Sequence, residues 1–247
     1  MYGDGAGLEL KFIKSGVFDG TGTLVVPNVM KHCLVAFAPS GGEAWRLGKK
    51  GKGKGEFSFP TAVCFLLQHG GVLVVVDTVN HRLQWFDGTT RAHLRSVGTE
   101  GKGPLQFDAP LSACETEQGN VAVADYNNHR LVLLTAEGKH LRTIGSEGSG
   151  EGQFNRPSSI ALARSGRLLV ADYMNNRVVV VTEGGGFVRT IGQGYGSGPG
   201  QLHWPSSVAV DAAGLVLVAD RGNSRVSVFT EEGAFVAVLG GPAVFGD

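Results

Sequence analysis

The sequence predicts an all-β fold: a β-propeller of four-stranded antiparallel blades, with five blades on the count of its repeats. Three observations predict it. A polar turn recurs about every 48 residues, each repeat contains four short apolar stretches, and glycine contributes 39 of the 247 residues. Four strands within a period of about 40–50 residues are typical of one propeller blade.

The recurring turn lies between two apolar stretches of each repeat. It reads DTVNHR from Asp77, DYNNHR from Asp125, DYMNNR from Asp172 and DRGNSR from Asp220, and a degenerate copy has Asn28 in place of the aspartate. Asp and Asn favour tight turns because their side chains hydrogen-bond to nearby backbone groups. An arginine at the start of the next strand is placed to pair with the aspartate. We therefore predict a structural turn motif made of Asp77, Arg82, Asp125, Arg130, Asp172, Arg177, Asp220 and Arg225.

The repeats divide the chain into one propeller domain over residues 1–247. Their approximate bounds are 2–48, 49–98, 99–145, 146–192 and 193–240, followed by a tail over 241–247. In the last repeat the β-branched stretches predict strands at 206–210, 215–219, 225–229 and 235–239. A ring buries both faces of each blade, so five blades are expected, or six if one blade lies outside this chain. The start of the chain in a loop favours a piece of a longer polypeptide.

One repeat carries a specific family resemblance. Residues 150–192 read GxGQFxxPSSIALxxxGRLLVADYMNNRVVVVxxxGxFVRTIG, which resembles the NHL repeat, and the similarity covers about residues 5–240. The resemblance implies a propeller, usually with six blades. It also implies a binding face formed by the loops between blades and the turns between strands two and three. NHL proteins use that face for proteins and, in the branch linked to ubiquitin ligases, for single-stranded RNA. Propellers similar in architecture include calcium-dependent lactonases and a zinc-dependent amidating lyase.

Charge and cysteine content limit the partners and the compartment that the sequence predicts. The formal net charge is zero, so the field of the whole molecule does not attract nucleic acid or an anionic membrane. The three widely spaced cysteines indicate neither a disulfide framework nor a zinc site, and with no signal peptide they predict a cytoplasmic protein. The longest apolar runs fall far short of the roughly 20 residues that span a bilayer. No membrane contact is therefore predicted.

No cofactor is predicted. The stretch GKKGKGKG from Gly48 is similar to a phosphate-binding loop, but Gly55 stands where Ser or Thr is required and a strand follows instead of a helix. His32, His81 and His129 hold equivalent places in three repeats, so they are expected around the ring rather than on one metal ion. We predict no catalytic and no metal-binding residues.

The positions that differ between repeats are the candidates for recognition. Some directly precede the repeat proline, others directly follow the turn aspartate, and Tyr, Trp and Arg are the residue types that stacking surfaces and interfaces use. The predicted binding residues are Trp204, Arg156, Tyr173, Tyr126, Arg221, His203 and Phe59, together with the lysine loop Lys49, Lys50, Lys52 and Lys54. The alternatives are that the aromatic residues fill the mouth of the channel and that the lysines only face solvent.

The favoured function is therefore a non-enzymatic recognition or scaffold module that binds a protein or peptide through this face. Single-stranded RNA on the same face is the first alternative, because stacking and basic residues are both present. A propeller hydrolase or lyase with a metal ion at the channel mouth is the second.

Overall fold

Four short strands form each of the five sheets in the computed structural model, which describes residue 10 and residues 15–241. Each sheet is antiparallel, with its strands in chain order. Blade one contains β1 (Val17–Phe18), β2 (Leu24–Asn28), β3 (Cys33–Phe37) and β4 (Glu43–Leu47). Blade two contains β5 (Pro60–Leu66), β6 (Val72–Asp77), β7 (Arg82–Phe86) and β8 (His93–Val97).

The remaining blades repeat this order after a short parallel pair, β9 (Thr99–Glu100) and β10 (Gln106–Phe107). Blade three contains β11 (Pro110–Glu115), β12 (Val121–Asp125), β13 (Arg130–Leu134) and β14 (His140–Ile144). Blade four contains β15 (Pro157–Leu162), β16 (Leu168–Asp172), β17 (Arg177–Val181) and β18 (Phe187–Ile191). Blade five contains β19 (Pro205–Val210), β20 (Val216–Asp220), β21 (Arg225–Phe229) and β22 (Phe235–Gly240).

The sheets lie in a ring around a channel lined by residues of the first segment of every blade, from Ser15 to Ser207. The protein is an all-β, five-bladed β-propeller, which confirms the predicted fold class. The four strands predicted for the last repeat agree with β19 to β22 within a residue or two at each end. Most of the predicted tail, residues 242–247, and the first repeat over 2–9 and 11–14 lie outside the described residues.

Turns of 3₁₀ helix connect the second and third strands on one face of the ring. They cover Val29–Lys31, Thr78–Asn80, Tyr126–Asn128, Tyr173–Asn175 and Arg221–Asn223, and a sixth follows β5 at Leu67–His69. Among the described residues, no helix is long and apolar enough to cross a membrane.

Side chains of adjacent blades interlock to form the core. Separate buried clusters join blade one to two, two to three, three to four and four to five. Between blades four and five, Leu169, Val178 and Ile191 meet Val218 and Phe229. Since a β-sheet buries each face only by packing on a neighbour, these interfaces stabilise the ring.

Blade five differs from the others on the face it turns away from blade four. Leu239 of β22 is 54% exposed, whereas Ile191, at the same position of blade four, is fully buried. Ala219 and Val226 on this face are also partly exposed, although Ala171 and Val178 are fully buried. The sequence pattern of the face is therefore the same, and only its covering is different.

Candidate functional site

The repeated turn motif anchors the loop that leads into each blade. In blade four, Asp172 is fully buried and its Oδ2 accepts hydrogen bonds from Arg177 Nε and Asn175 Nδ2, both at 2.8 Å. Arg177 also donates to the carbonyl oxygens of Ser149, Gly150 and Gln153 in the inter-blade loop. The corresponding Arg–Asp distances at Asp77, Asp125 and Asp220 are 2.8, 2.8 and 2.7 Å. The motif thus ties the glycine-rich loops to the sheet by their carbonyl groups.

The same aspartates position the residues that precede the repeat proline. Asp172 Oδ1 accepts from the backbone N–H of Asn155 at 2.6 Å, and Asp220 Oδ1 accepts from that of His203 at 2.7 Å. Arg156 and Trp204 follow directly in the chain. Burial raises the pKa of the Asp172 carboxyl, while the hydrogen bonds from Asn155, Asn175 and Arg177 act in the opposite direction.

The four pre-proline residues have left-handed backbone. Their φ angles are +53° at Phe59, +50° at Ala109, +58° at Arg156 and +53° at Trp204. Residues other than glycine seldom adopt this region, and doing so costs of order 1–3 kcal/mol when nothing supports it. The support comes from the preceding blade, because Trp204 N–H donates to Asn176 Oδ1 at 2.9 Å.

Histidines fill the place of Asn176 in the first three blades. The Nδ1 atoms of His32, His81 and His129 accept from the backbone N–H groups of Phe59, Ala109 and Arg156 at 3.1, 3.3 and 3.3 Å. All three histidines have left-handed φ angles themselves. The structure therefore distributes them around the ring, one at each of three blade interfaces, where each links two blades.

Acidification is expected to weaken the His32 link. Burial, followed by the charge of Lys50, lowers the pKa of His32, so the unfolded chain binds this proton more tightly than the folded one. The contribution of neutral His32 to the free energy of unfolding is therefore fully present above the ordinary histidine pKa of the unfolded chain. It is lost as the pH falls from that value through the lowered pKa of the folded protein. Thermal unfolding midpoints between about pH 8 and pH 5 should fall less steeply in His32→Asn than in the wild type, because Asn accepts the same hydrogen bond without titrating. Parallel profiles would contradict this assignment.

A cavity of about 570 Å³ opens at the turn face of the channel; we call it the mouth. Side chains of all five blades line it, and Arg221 is the charged residue among them. Its lining includes Val29, Phe59, Thr61, Thr78, Val79, Leu111, Tyr126, Ser158, Tyr173, Ser206, Ser207, Ala219 and Arg221. An apolar wall with a few polar groups is what ligand sites generally present.

Aromatic and arginine side chains form a continuous row from the mouth across blades three to five; we call it the aromatic row. Tyr173 stacks on Trp204 with ring centroids 6.2 Å apart and an interplanar angle of 22°, and it lies 6.3 Å from Tyr126. Arg156 Cζ lies 5.6 Å from the Tyr126 ring, and Arg221 Nη1 donates to the Tyr173 hydroxyl at 3.2 Å. The row therefore combines flat rings with two cations.

The outer end of the row lies on the loop before blade five. His203 packs on Trp204 with centroids 4.3 Å apart, and Tyr195 contacts His203 edge to face at 4.9 Å. Trp204 is 42% exposed and Tyr195 is 70% exposed. Large aromatic side chains at this exposure leave ring faces accessible to a partner.

The lysine loop is separate from the row. Lys49, Lys50, Lys52 and Lys54 are exposed, and none of them lines the mouth. Lys49 Nζ lies 3.4 Å from Glu56 Oε1, and the carbonyls of Gly51 and Gly53 accept from Asn80 and Arg82. The structure thus brings Tyr126, Tyr173, Arg156, Arg221, His203 and Trp204 together across blades three to five. Phe59 lines the mouth but contacts His32 at the interface of blades one and two, and the lysines lie on the loop between those two blades.

Two groups of residues on the turn face and in the channel are absent from the sequence predictions. The first is the second residue of each turn, where Met30, Val79 and Met174 are 50%, 51% and 40% exposed. The second is the hydroxyl lining of the channel, in which Thr61 Oγ1 donates to Leu111 O at 2.9 Å and Ser158 Oγ donates to Pro205 O at 3.2 Å. Met30, Val79 and Met174 hold the same turn position in three repeats, and these apolar residues in a polar turn are the signal that points to the first group.

A comparison with protein-family models identifies the repeat in two of the five blades. The NHL repeat model matches residues 154–181 and 202–229, which run from before the proline to the end of the third strand in blades four and five. The chain is a β-propeller whose blades four and five each contain an NHL repeat. Both matches contain the Asp–Arg turn motif that holds the loops of this NHL propeller.

Solved structures with the same fold include enzymes and a binding protein. The NHL propeller superposes on a streptogramin B lyase with a TM-score of 0.69 and 12% identity, covering 92% of this chain and 68% of that one. A catalytically inactive variant of virginiamycin B lyase from Staphylococcus aureus with quinupristin gives 0.66 and 16%, covering 93% and 70%. A nidogen/laminin complex gives 0.69 and 13%, covering 93% and 80%. At these identities the likeness shows the fold alone.

No curated protein matches the NHL propeller in sequence. Within the part of the chain that the structure describes, no group of three or more His, Cys, Asp or Glu side chains is placed to hold a metal ion. Cys64 is buried, and burial raises the pKa of its thiol well above the ordinary value, so it is held as the neutral thiol.

Proposed function

We propose that this NHL propeller is a non-enzymatic recognition module that binds a protein or peptide at the mouth and along the aromatic row. The observation that carries the proposal is the row itself, because accessible rings and two arginines stand beside an apolar cavity on one face. Interfaces concentrate binding energy in Trp, Tyr and Arg. Met30, Val79 and Met174 are exposed on turns of the same face and extend its apolar contact area.

The blade architecture favours recognition by a preformed surface. Asp172 and Asp220 hold the loops that carry Arg156 and Trp204, and Asn176 fixes the Trp204 backbone. A partner therefore does not have to bear the entropy cost of ordering these loops, which raises affinity for a given contact area. The nidogen in the nidogen/laminin complex is a fold neighbour with a protein partner, and it supports this ranking by analogy.

Single-stranded RNA is the second candidate. The near-parallel Tyr173 and Trp204 rings have the geometry on which bases stack, and Arg156 and Arg221 could contact phosphates. The exposed lysine loop supplies further positive charge. An enzymatic role, by analogy with the lyases of the same fold, is the third candidate. Metal analysis of the purified protein combined with a substrate screen tests it.

Binding selections on the chain, from a random-peptide display library and from a random single-stranded RNA pool, test the ranking. Each is run at two salt concentrations, because phosphate contacts weaken steeply with salt. We expect peptides to be selected and the combined variant Trp204→Ala, Tyr173→Ala, Arg156→Ala to bind them at least about 30-fold more weakly. The control variant changes two equally exposed leucines of the outer strands, Leu94→Ala and Leu141→Ala.

The control is expected to bind as the wild type does, and circular dichroism and the unfolding midpoint should show that both variants are folded. Wild-type affinity in the folded triple variant would remove the aromatic row from the site. Selection of RNA alone, with a steep salt dependence, would put the second candidate first.

A further inference from the structure

The face of blade five that points away from blade four carries the side-chain types of a blade interface, but no described residues of a following blade pack against it. At each of the first four blades, the glycine that directly follows the fourth strand lies against an anchor residue of the next blade. A Cβ added to Gly98 would lie 2.7 Å from Phe107, and one added to Gly192 would lie 2.8 Å from Leu202. At Gly240 nothing lies within 4 Å. Ala219, Val226 and Leu239 of this face are correspondingly exposed or half-buried.

These residues form a groove of about 510 Å³, which we call the blade-five groove. It is lined by Ser206, Ala219, Arg221, Ser224, Arg225, Val226, Leu239 and Gly240. Ser206, Ala219 and Arg221 line the mouth as well. The two cavities therefore share a wall, and a ligand that leaves the mouth past Arg221 reaches the groove.

Two arginines lie where the mouth meets the blade-five groove, and they determine which charge a ligand can carry there. Arg225 is fully engaged, because it donates to Asp220 Oδ2 and to the carbonyls of Ser197, Gly198 and Gln201. Arg221 is exposed and donates through Nη1 to the Tyr173 hydroxyl, which leaves its other N–H groups for a ligand. A guanidinium held in this way suits a carboxylate, with which it forms short charge-assisted hydrogen bonds.

We propose that the partner is an extended acidic–aliphatic peptide segment. It places a carboxylate on Arg221 and a neighbouring branched aliphatic side chain against Val226 and Leu239 in the blade-five groove. This inference rests on the proposed function and extends its site beyond the mouth. Arg221 supplies the charge complementarity, and the shared wall supplies the path. The aliphatic face supplies the second element of specificity, since it matches faces that are buried by Val and Phe side chains elsewhere in the ring.

The test uses peptides selected on the whole chain from a random-sequence display library, with affinities measured by fluorescence anisotropy. Enrichment of Asp or Glu next to Leu, Ile or Val is expected. Arg221→Gln and Leu239→Asp should each weaken binding about tenfold or more, Arg221→Lys should recover part of the loss, and Leu239→Ala should cost about three- to fivefold. Val236→Asp is the matched control. Val236 is an aliphatic residue of the same strand, is 48% exposed and does not line the groove.

The outcomes separate this inference from the proposed function. If the Trp204, Tyr173 and Arg156 triple variant loses binding while Arg221→Gln and Leu239→Ala bind as the wild type does, the mouth remains the site and the groove extension is wrong. Selected peptides without acidic residues would also overturn it. If the wild type is a dimer that Leu239→Asp dissociates without changing peptide affinity, a second copy covers the face, and the proposal fails.

Discussion

Replacing Asp172 by alanine is expected to lower the free energy of unfolding by about 3–5 kcal/mol, because it leaves buried donors without their charged partner. The carboxylate accepts from Asn155 N–H at 2.6 Å and from Asn175 Nδ2 and Arg177 Nε at 2.8 Å, and no part of Asp172 is exposed. Urea unfolding, followed by fluorescence and by circular dichroism, measures the change.

Two further variants sharpen this measurement. Asp172→Asn keeps an acceptor but removes the charge that faces Arg177, so about half of the loss is expected. Glu151→Ala removes an exposed carboxylate from the loop of the same blade and should change the stability by less than about 0.5 kcal/mol. A loss below about 1 kcal/mol for Asp172→Ala would show that the motif is not what ties the loop to the sheet.

Alanine at Gly145 is expected to cost about 3–4 kcal/mol, and the same change at Gly240 only about 1 kcal/mol. Both glycines have left-handed backbone, with φ of +81° and +77°, so both variants bear similar conformational strain. At Gly145 the new Cβ would also overlap Phe154 and approach the carbonyl oxygen of Gly152 to 2.8 Å, whereas at Gly240 it would meet nothing within 4 Å.

This pair isolates the packing between blades, because the residue type, repeat position and backbone conformation are held constant. Thermal and urea unfolding of both variants in the same buffer provide the comparison. Equal losses would mean that the anchor residue of the next blade, Phe154, does not define the fit at Gly145, and that strain alone accounts for the glycine.

The repeat spacing alone was enough to predict the architecture. Apolar stretches between turn residues define β19 to β22, and the recurrence of Asp77, Asp125, Asp172 and Asp220 defines the blades. The neighbourhood of Tyr126 and Tyr173 also follows from the sequence, because equivalent positions of successive blades lie side by side in a ring. Trp204 holds a different repeat position, before the proline, and its stacking on Tyr173 is visible only in the structure. These residues remain a predicted binding site.

Other features depend on how the blades are rotated and packed against one another, which the repeat spacing does not specify. The bond from Phe59 N–H to His32 Nδ1 depends on the rotation between two blades, so the histidines appear in the sequence only as equivalent positions. The lysine loop and the loops that carry Arg156 and Trp204 hold equivalent places in the repeat, but the lysine loop leads into blade two and the other loops lead into blades four and five. The exposure of Leu239 is the clearest case: its repeat position is that of Ile191, and only the absence of a covering neighbour among the described residues separates them.

The uncovered face of blade five predicts where local unfolding of the propeller begins. In a structure whose units contact only their neighbours, the unit with one packed side separates at the lowest free energy. Local fraying should therefore start at β22 and proceed towards blade four, while the middle blades stay closed. A partner bound against Val226 and Leu239 would then suppress this fraying, so that recognition would also protect the propeller against local unfolding.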